Sequence, residues 1–238
     1  MNNYNQQTPP PFYSGGYNVA EQTHSILKKV YLRMTIGLVI SAVCALIVAT
    51  SPTLLLFFNN RITYFVLFGI MIAMAFIIPS RLNKMSTGTV LLCFMLFSAI
   101  MGASLSGLFV VYSIGTLTYT FFITAGTFGA MSVYGYFTKA DLTKIGTFLL
   151  MALFGLIIAS LVNIFAHSDT LSWICSIAGV LIFTGLTAYD TQQVKRLAQA
   201  NPEPALADKL STMAAMNLYL DFINLFLYLL RIFGSSRD

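Results

Sequence analysis

Long apolar stretches alternate with short polar punctuation along this chain. Residues 34–60, 62–80, 85–138, 145–168 and 170–189 contain no Asp, Glu, Lys or Arg. A helix needs about 20 residues to cross roughly 30 Å of hydrocarbon, so each run holds one span and the third holds two. Spanning strands would show alternating segments of about 10 residues, and that pattern is missing from the sequence. The pattern predicts an all-α membrane bundle with helices over 31–52, 62–80, 87–110, 114–137, 145–166, 171–194 and 210–233. The long uncharged run is divided at Tyr112, Ser113 and Gly115, which leaves room only for a tight turn between antiparallel helices.

Composition agrees with the pattern. Of 238 residues, 57% are hydrophobic and 9% are charged, against roughly 25% charged in soluble domains. A soluble core of this size cannot hide so much apolar surface, and a bilayer can. Residues 1–27 are different: Asn, Gln, Tyr and the run Pro9, Pro10 and Pro11 give no apolar core. That segment is expected to be a disordered cytosolic tail ahead of a transmembrane domain over 28–238. It is not read as a signal peptide, because the first apolar stretch begins beyond residue 30 and is too long. Cys44, Cys93 and Cys175 stand singly in apolar runs without ligand spacing, so they are read as small buried hydrophobes.

The basic residues set an orientation. With the amino terminus inside, Lys28, Lys29, Arg33, Arg81, Lys84, Lys139, Lys144, Lys195, Arg196 and Lys209 fall on the inner side. Arg61, Arg231 and Arg237 fall outside. The amino terminus is therefore expected in the cytosol and the carboxyl terminus outside. Because these charges are spread over short loops, the net charge of +5 does not point to nucleic acid. Very short outer loops and the lack of Asn-x-Ser/Thr sites suit a bacterial inner membrane. Small residues at Ser98, Gly102 and Ser106, and again at Ala125 and Gly129, predict close helix packing.

Candidate chemistry lies in the last two spans. Asp190 and Asp221 each interrupt an apolar helix, where an Asp costs roughly 2.5–3.5 kcal/mol at the centre. Asn217, Asp221, Asn224, Tyr228 and Arg231 follow at steps of 4, 3, 4 and 3. At about 100° per residue they fall within an arc of roughly 80°, a polar stripe that must face the bundle interior or water. Thr184, Thr187 and Thr191 on the sixth span, and Ser160, Asn163 and His167 on the fifth, are weaker partners, since Ser and Thr often bond to their own helix. His24, in the inner tail, is read as solvated. Measured from Lys195 and Lys209, the two aspartates differ in depth by roughly 10 Å at 1.5 Å per residue. They meet only if the seventh helix starts below the membrane surface or the sixth ends higher. If they meet, two carboxylates away from water share a proton and form a pH-sensitive latch. The same oxygens would attract a hard cation such as Ca²⁺. Arg81, at the inner end of the second span, is a candidate basic partner for the pair, beside its reading as an orientation charge.

The stretches Gly185-Leu186-Thr187-Ala188-Tyr189-Asp190-Thr191-Gln192 and Leu218-Tyr219-Leu220-Asp221-Phe222-Ile223-Asn224-Leu225-Phe226 resemble the Bax inhibitor-1 (transmembrane Bax inhibitor motif) family, bacterial branch. Phe128-Gly129-Ala130-Met131-Ser132 with Tyr134-Gly135-Tyr136 agrees. The resemblance covers roughly residues 25–235. It implies seven helices with the seventh central, and a pH-regulated Ca²⁺ leak controlled by a hydrogen-bonded pair at Asp190 and Asp221. It associates an arginine of the second helix with that latch, for which Arg81 is the nearest candidate. Asn217, Asn224, Tyr228 and Thr187 are the expected pore-lining polar residues. Calcium is the expected permeant or bound ion, and no cofactor is expected. Other bacterial members partner a membrane-anchored quality-control protease, which would suit the polar tail. A membrane protease is the third class considered. It is disfavoured because neither aspartate sits in a Gly-x-Gly-Asp arrangement and no Ser/His or metal-ligand set is visible, so the chain is not expected to be an enzyme.

Overall fold

A computed structural model describes residues 19–200 and 203–234. Among them every long element is helical: α1 (Val19–Thr50), α2 (Pro52–Phe58), α3 (Arg61–Ser80), α4 (Thr87–Leu105), α5 (Leu108–Val111), α6 (Ile114–Phe137), α7 (Thr143–Ala166), α8 (Asp169–Gln199) and α9 (Pro204–Phe233). A single turn of tighter helix, Leu82–Lys84, links α3 to α4. Six stretches, centred on α1, α3, α4, α7, α8 and α9, are long and apolar enough to cross a membrane. With 24 residues α6 has the length, but its five threonines, four glycines and three tyrosines lower its apolarity. Two of those threonines and one glycine (Thr120, Thr124 and Gly135) are turned inward with Ser132, Leu117 and Phe128. Phe122 and Phe137 point outward.

Helix ends follow local chemistry. Ser86, Ser113 and Ser168 each accept a backbone N–H one turn into α4, α6 and α8, satisfying donors that a helix start leaves open. The chain leaves α7 through His167, whose left-handed backbone (φ 49) makes the turn into α8. Membrane-spanning stretches and helices are not coextensive. The first helix begins at Val19, so the last nine residues assigned to the polar tail are helical rather than disordered. The reason is a buried stripe, Thr23, Ile26, Val30 and Met34, at the three- and four-residue steps of a helix face. The expected 87–110 helix is interrupted at Ser106 and Gly107, leaving α5 as a separate turn.

The interior is organised around the last two helices. α9 packs against α1, α4, α6 and α8, and α8 packs against α1, α6, α7 and α9. By contrast α3 and α7 bury little: Met71 and Ile78 on one, Gly146 and Leu156 on the other. Phe76 is 74% exposed and Phe165 84%, which is tolerable only against hydrocarbon. Backbones approach closely at two glycines. A Cβ on Gly102 would strike the Ser41 backbone of α1, and one on Gly135 would strike the Ala188 backbone of α8. The Ser98, Gly102 and Ser106 face is buried as the spacing predicts. Gly129 is not a contact, since nothing lies within 4 Å of a Cβ built there. The packed face of α6 runs instead through Thr124, Phe128 and Ser132.

Candidate functional site: a carboxylate cleft between the last helices

Register decides whether the two aspartates meet. The Phe183 and Tyr228 rings stack with centroids 5.9 Å apart and planes 23° from parallel. Gly179, one turn up α8, has no side chain to push the Tyr228 ring away. Asp190 lies seven residues along α8 from Phe183, and Asp221 seven residues back along α9 from Tyr228. Because the helices are antiparallel, both steps run the same way by roughly 10 Å, and two turns return each residue to nearly its starting face. The stacked rings therefore bring the carboxylates level and onto the same cavity. With the carboxylates level, α9 runs back from Asp221 to its start at Pro204 over more residues than α8 runs on from Asp190 to its end at Gln199, so α9 extends further on that side.

Both aspartates line one cavity of about 750 Å³ bounded by α7, α8 and α9. Asp221 is only 5% exposed, and its Oδ2 is buried without a hydrogen-bond partner. Asp190 is half-buried. Asn217, Asn224 and Tyr228 line the same cavity, so four members of the polar stripe share it. Asn224 donates its amide nitrogen to the Leu220 carbonyl at 2.8 Å, which leaves its oxygen for the cavity. Arg231, the fifth, is exposed, with its guanidinium 5.5 Å from the Tyr228 ring centre.

Thr187 does not join them. It is fully buried, its hydroxyl donates to the Phe183 carbonyl at 2.8 Å, and it is absent from the cavity wall. Its pore-lining assignment is corrected for the general reason that a threonine satisfies itself on its own helix. Arg81 caps the end of α3, exposed and away from the cavity wall. The arginine that does engage the α9 helix is Arg33 of α1. Its guanidinium donates to Asp208 Oδ1 at 2.7 Å, to the Asp208 carbonyl at 2.7 Å and to Thr212 at 2.9 Å. Lys29 adds a 3.4 Å contact to the same carboxylate. Arg33 was counted only as an orientation charge. A signal for its role existed in Asp208, an acid beside the Lys209 boundary that orientation counting ignores.

Two further supports had no sequence signal. On the opposite side of α9 from the cleft, Tyr219 is fully buried, and its hydroxyl lies 2.7 Å from that of Ser41, which also donates to the Ser98 carbonyl at 2.7 Å. Phe94 and Phe97 meet the Tyr219 ring edge-on at 5.6 and 6.2 Å. Just beyond Asp190, α8 holds the connection between α6 and α7. The Gln192 side chain donates to the Ala140 carbonyl at 2.8 Å and accepts from the Leu142 amide at 3.0 Å. Lys195 donates to the Tyr136 carbonyl at 2.8 Å. Arg196 donates to Thr143 at 2.6 Å and to Asp141 at 2.5 Å. Hydrogen bonds from Thr143 and Arg196 hold the Asp141 carboxyl well below the usual carboxylate range.

Fold and cleft together define a helical integral membrane protein with an acidic pair between its two most interior helices. Residues 23–238 match the family described as inhibitor of apoptosis-promoting Bax1, and the chain belongs to that family. It is 45% identical over 217 residues to a protein of Borreliella burgdorferi, covering 90% of this chain and 94% of that one. It is 44% identical over 214 residues to the inner membrane protein YbhL of Escherichia coli K12, covering 89% and 92%. A Rickettsia prowazekii protein, RP147, is 42% identical over 212 residues, covering 88% and 89%.

Proposed function

We propose that this protein is a proton-sensitive cation leak pathway, with Ca²⁺ as the permeant ion and Asp190 and Asp221 as its gate. The observation that carries the reading is the register: the two carboxylates stand two turns from the stacked Phe183 and Tyr228, facing one cavity. In a low-dielectric site such a pair holds one proton between its members. Losing that proton leaves two negative charges that repel each other and attract a cation. Ca²⁺ takes 6–8 oxygens, and oxygens of Asp190, Asp221, Asn217 and Asn224 with retained waters supply them. We read α6 as the seventh span, because Thr120, Thr124 and Ser132 face the bundle, and α9 as the helix around which the others are arranged. The amino terminus is placed in the cytosol of a bacterium and the protein in its inner membrane, in keeping with the basic loops and with YbhL. The pair works as a gate that gains and loses a proton and needs no cofactor to do so.

Ca²⁺ flux into proteoliposomes across a pH series tests the reading, with Asp190→Asn and Asp221→Asn beside the parent. Flux that rises with pH in the parent and flattens in both variants is expected. Identical pH profiles for all three proteins would remove the pair from the account. The second reading, a non-conducting partner of a membrane protease, is favoured by a polar segment that precedes the family match at residue 23. Deleting residues 1–18, which precede the first described helix, should abolish any effect on the protease and leave flux intact.

A further inference from the structure

The cleft has a property that ion passage does not require. A volume of about 750 Å³ lies within the roughly 300–1,000 Å³ range of sites that enclose drug-sized molecules. Most of its wall is hydrocarbon, including Leu150, Leu153 and Ile157 of α7 and Leu186 of α8. Its polar residues, among them Asp190 and Asp221, come from α8 and α9, whereas the α7 contribution is wholly apolar. Asn217 is exposed at the level of the pair, so the cleft is open there.

We propose that this cleft binds lipophilic organic amines: monocations whose ammonium meets Asp221 while an apolar body lies against the α7 and α8 wall. Three observations select this class. Asp221 Oδ2 is buried with no donor of its own, and an ammonium supplies a charge-assisted hydrogen bond that the protein does not. The Phe183 and Tyr228 rings form part of the wall, and Tyr228 already receives the Arg231 guanidinium, which is the behaviour of a cation-accepting ring. Among the described residues no Lys, Arg or His lines the cavity, and its two carboxyl groups disfavour the phosphate of a zwitterionic lipid or another anion. An amine needs one carboxylate and an apolar wall. It does not need the full oxygen shell of a divalent ion, so this site depends on the cleft's geometry and not on any flux.

The test is a fluorescence titration of the full chain in nanodiscs with a dansylated octanediamine. Its N-acetylated neutral counterpart is titrated in parallel, and empty nanodiscs are subtracted. The amine is expected to saturate and to bind at least about tenfold tighter than the acetylated probe, as one charged hydrogen bond implies. Asp221→Asn should reduce the amine to the level of the acetylated probe, and Leu153→Trp, which fills the wall, should weaken both. Equal binding of the two probes to the parent overturns the proposal, as does unchanged amine binding to a folded Asp221→Asn protein. Should that variant fail to fold, the comparison between probes on the parent still decides. Absent calcium flux with intact amine discrimination would sink the leak and leave this site standing.

Discussion

The two faces of α9 are made of different material. On one, Tyr219, Leu218, Ala215 and Leu225 are wholly buried, and the Tyr219 hydroxyl is paired with Ser41. On the other, Asn217, Asp221, Asn224 and Tyr228 look into an open cleft, and one buried carboxylate oxygen has no partner. The first face is satisfied and tightly packed, and the second is neither. A helix fixed on one side can carry an unsatisfied carboxyl group on the other, because the fixed side sets its rotation and depth. The Arg33 clamp to Asp208 and Thr212 adds a second fixed point near the start of α9.

The largest effect should come from crowding the fixed side. In Gly102→Leu the new side chain starts against the Ser41 backbone, which cannot rotate away as a flexible side chain could. Overpacking of this kind costs typically 1–3 kcal/mol, enough to displace α1 from α4. Gly129→Leu, where nothing lies within 4 Å, should stay within about 0.5 kcal/mol. Thermal denaturation in detergent checks both. Equal losses would mean that the approach of α1 to α4 does not matter.

A finer contrast uses neighbouring positions on α9. Tyr219→Phe removes the hydroxyl facing Ser41 and should cost roughly 0.5–1.5 kcal/mol while leaving the pH profile of calcium flux in place. Asp221→Asn should do the reverse: little loss of stability, since no hydrogen bond to Oδ2 is broken, and a flattened pH profile. If Tyr219→Phe flattens the profile as much, the two faces are not separable and the proposed gate belongs to the whole helix.

How much of this was legible depends on the period of the signal. The polar stripe on α9 repeats at helical steps, so its facing was readable, and four of its five residues do share the cavity. Six of the seven expected spans coincide with helices long and apolar enough to cross a membrane, because charges mark where hydrocarbon ends. What escaped was register between helices. Nothing local to Asp190 or Asp221 says that Phe183 stacks on Tyr228, or that α9 extends past the end of α8, yet these features decide whether the acids meet. Arg81 and Arg33 illustrate the same limit. Both are basic residues at an inner helix end, and only tertiary packing tells the exposed cap from the clamp. Thr187 shows a third limit, since a hydroxyl that bonds its own helix has the same spacing as one that faces a pore.

The smallest effect belongs to the exposed ion pair at the far end of α8. Asp141 and Arg196 are largely open to solvent, with side chains 69% and 39% exposed, so screening leaves the pair little weight. Its sign is nonetheless fixed. The folded state depresses the Asp141 carboxyl through Thr143 first and Arg196 second. Its contribution is therefore fully present above the ordinary Asp range, about pH 4, and fades as pH falls below that toward the depressed folded value. In Asp141→Asn, stability at neutral pH should drop slightly, the difference from the parent should vanish in strong acid, and high salt should shrink it. The flux profile should not move, because this pair only holds the connection between α6 and α7 while Gln192 and Lys195 hold it independently. A shift of the flux profile in Asp141→Asn would show that this connection reaches the Asp190 carboxylate, and the separation between a structural end of α8 and the proposed gate at its middle would be lost.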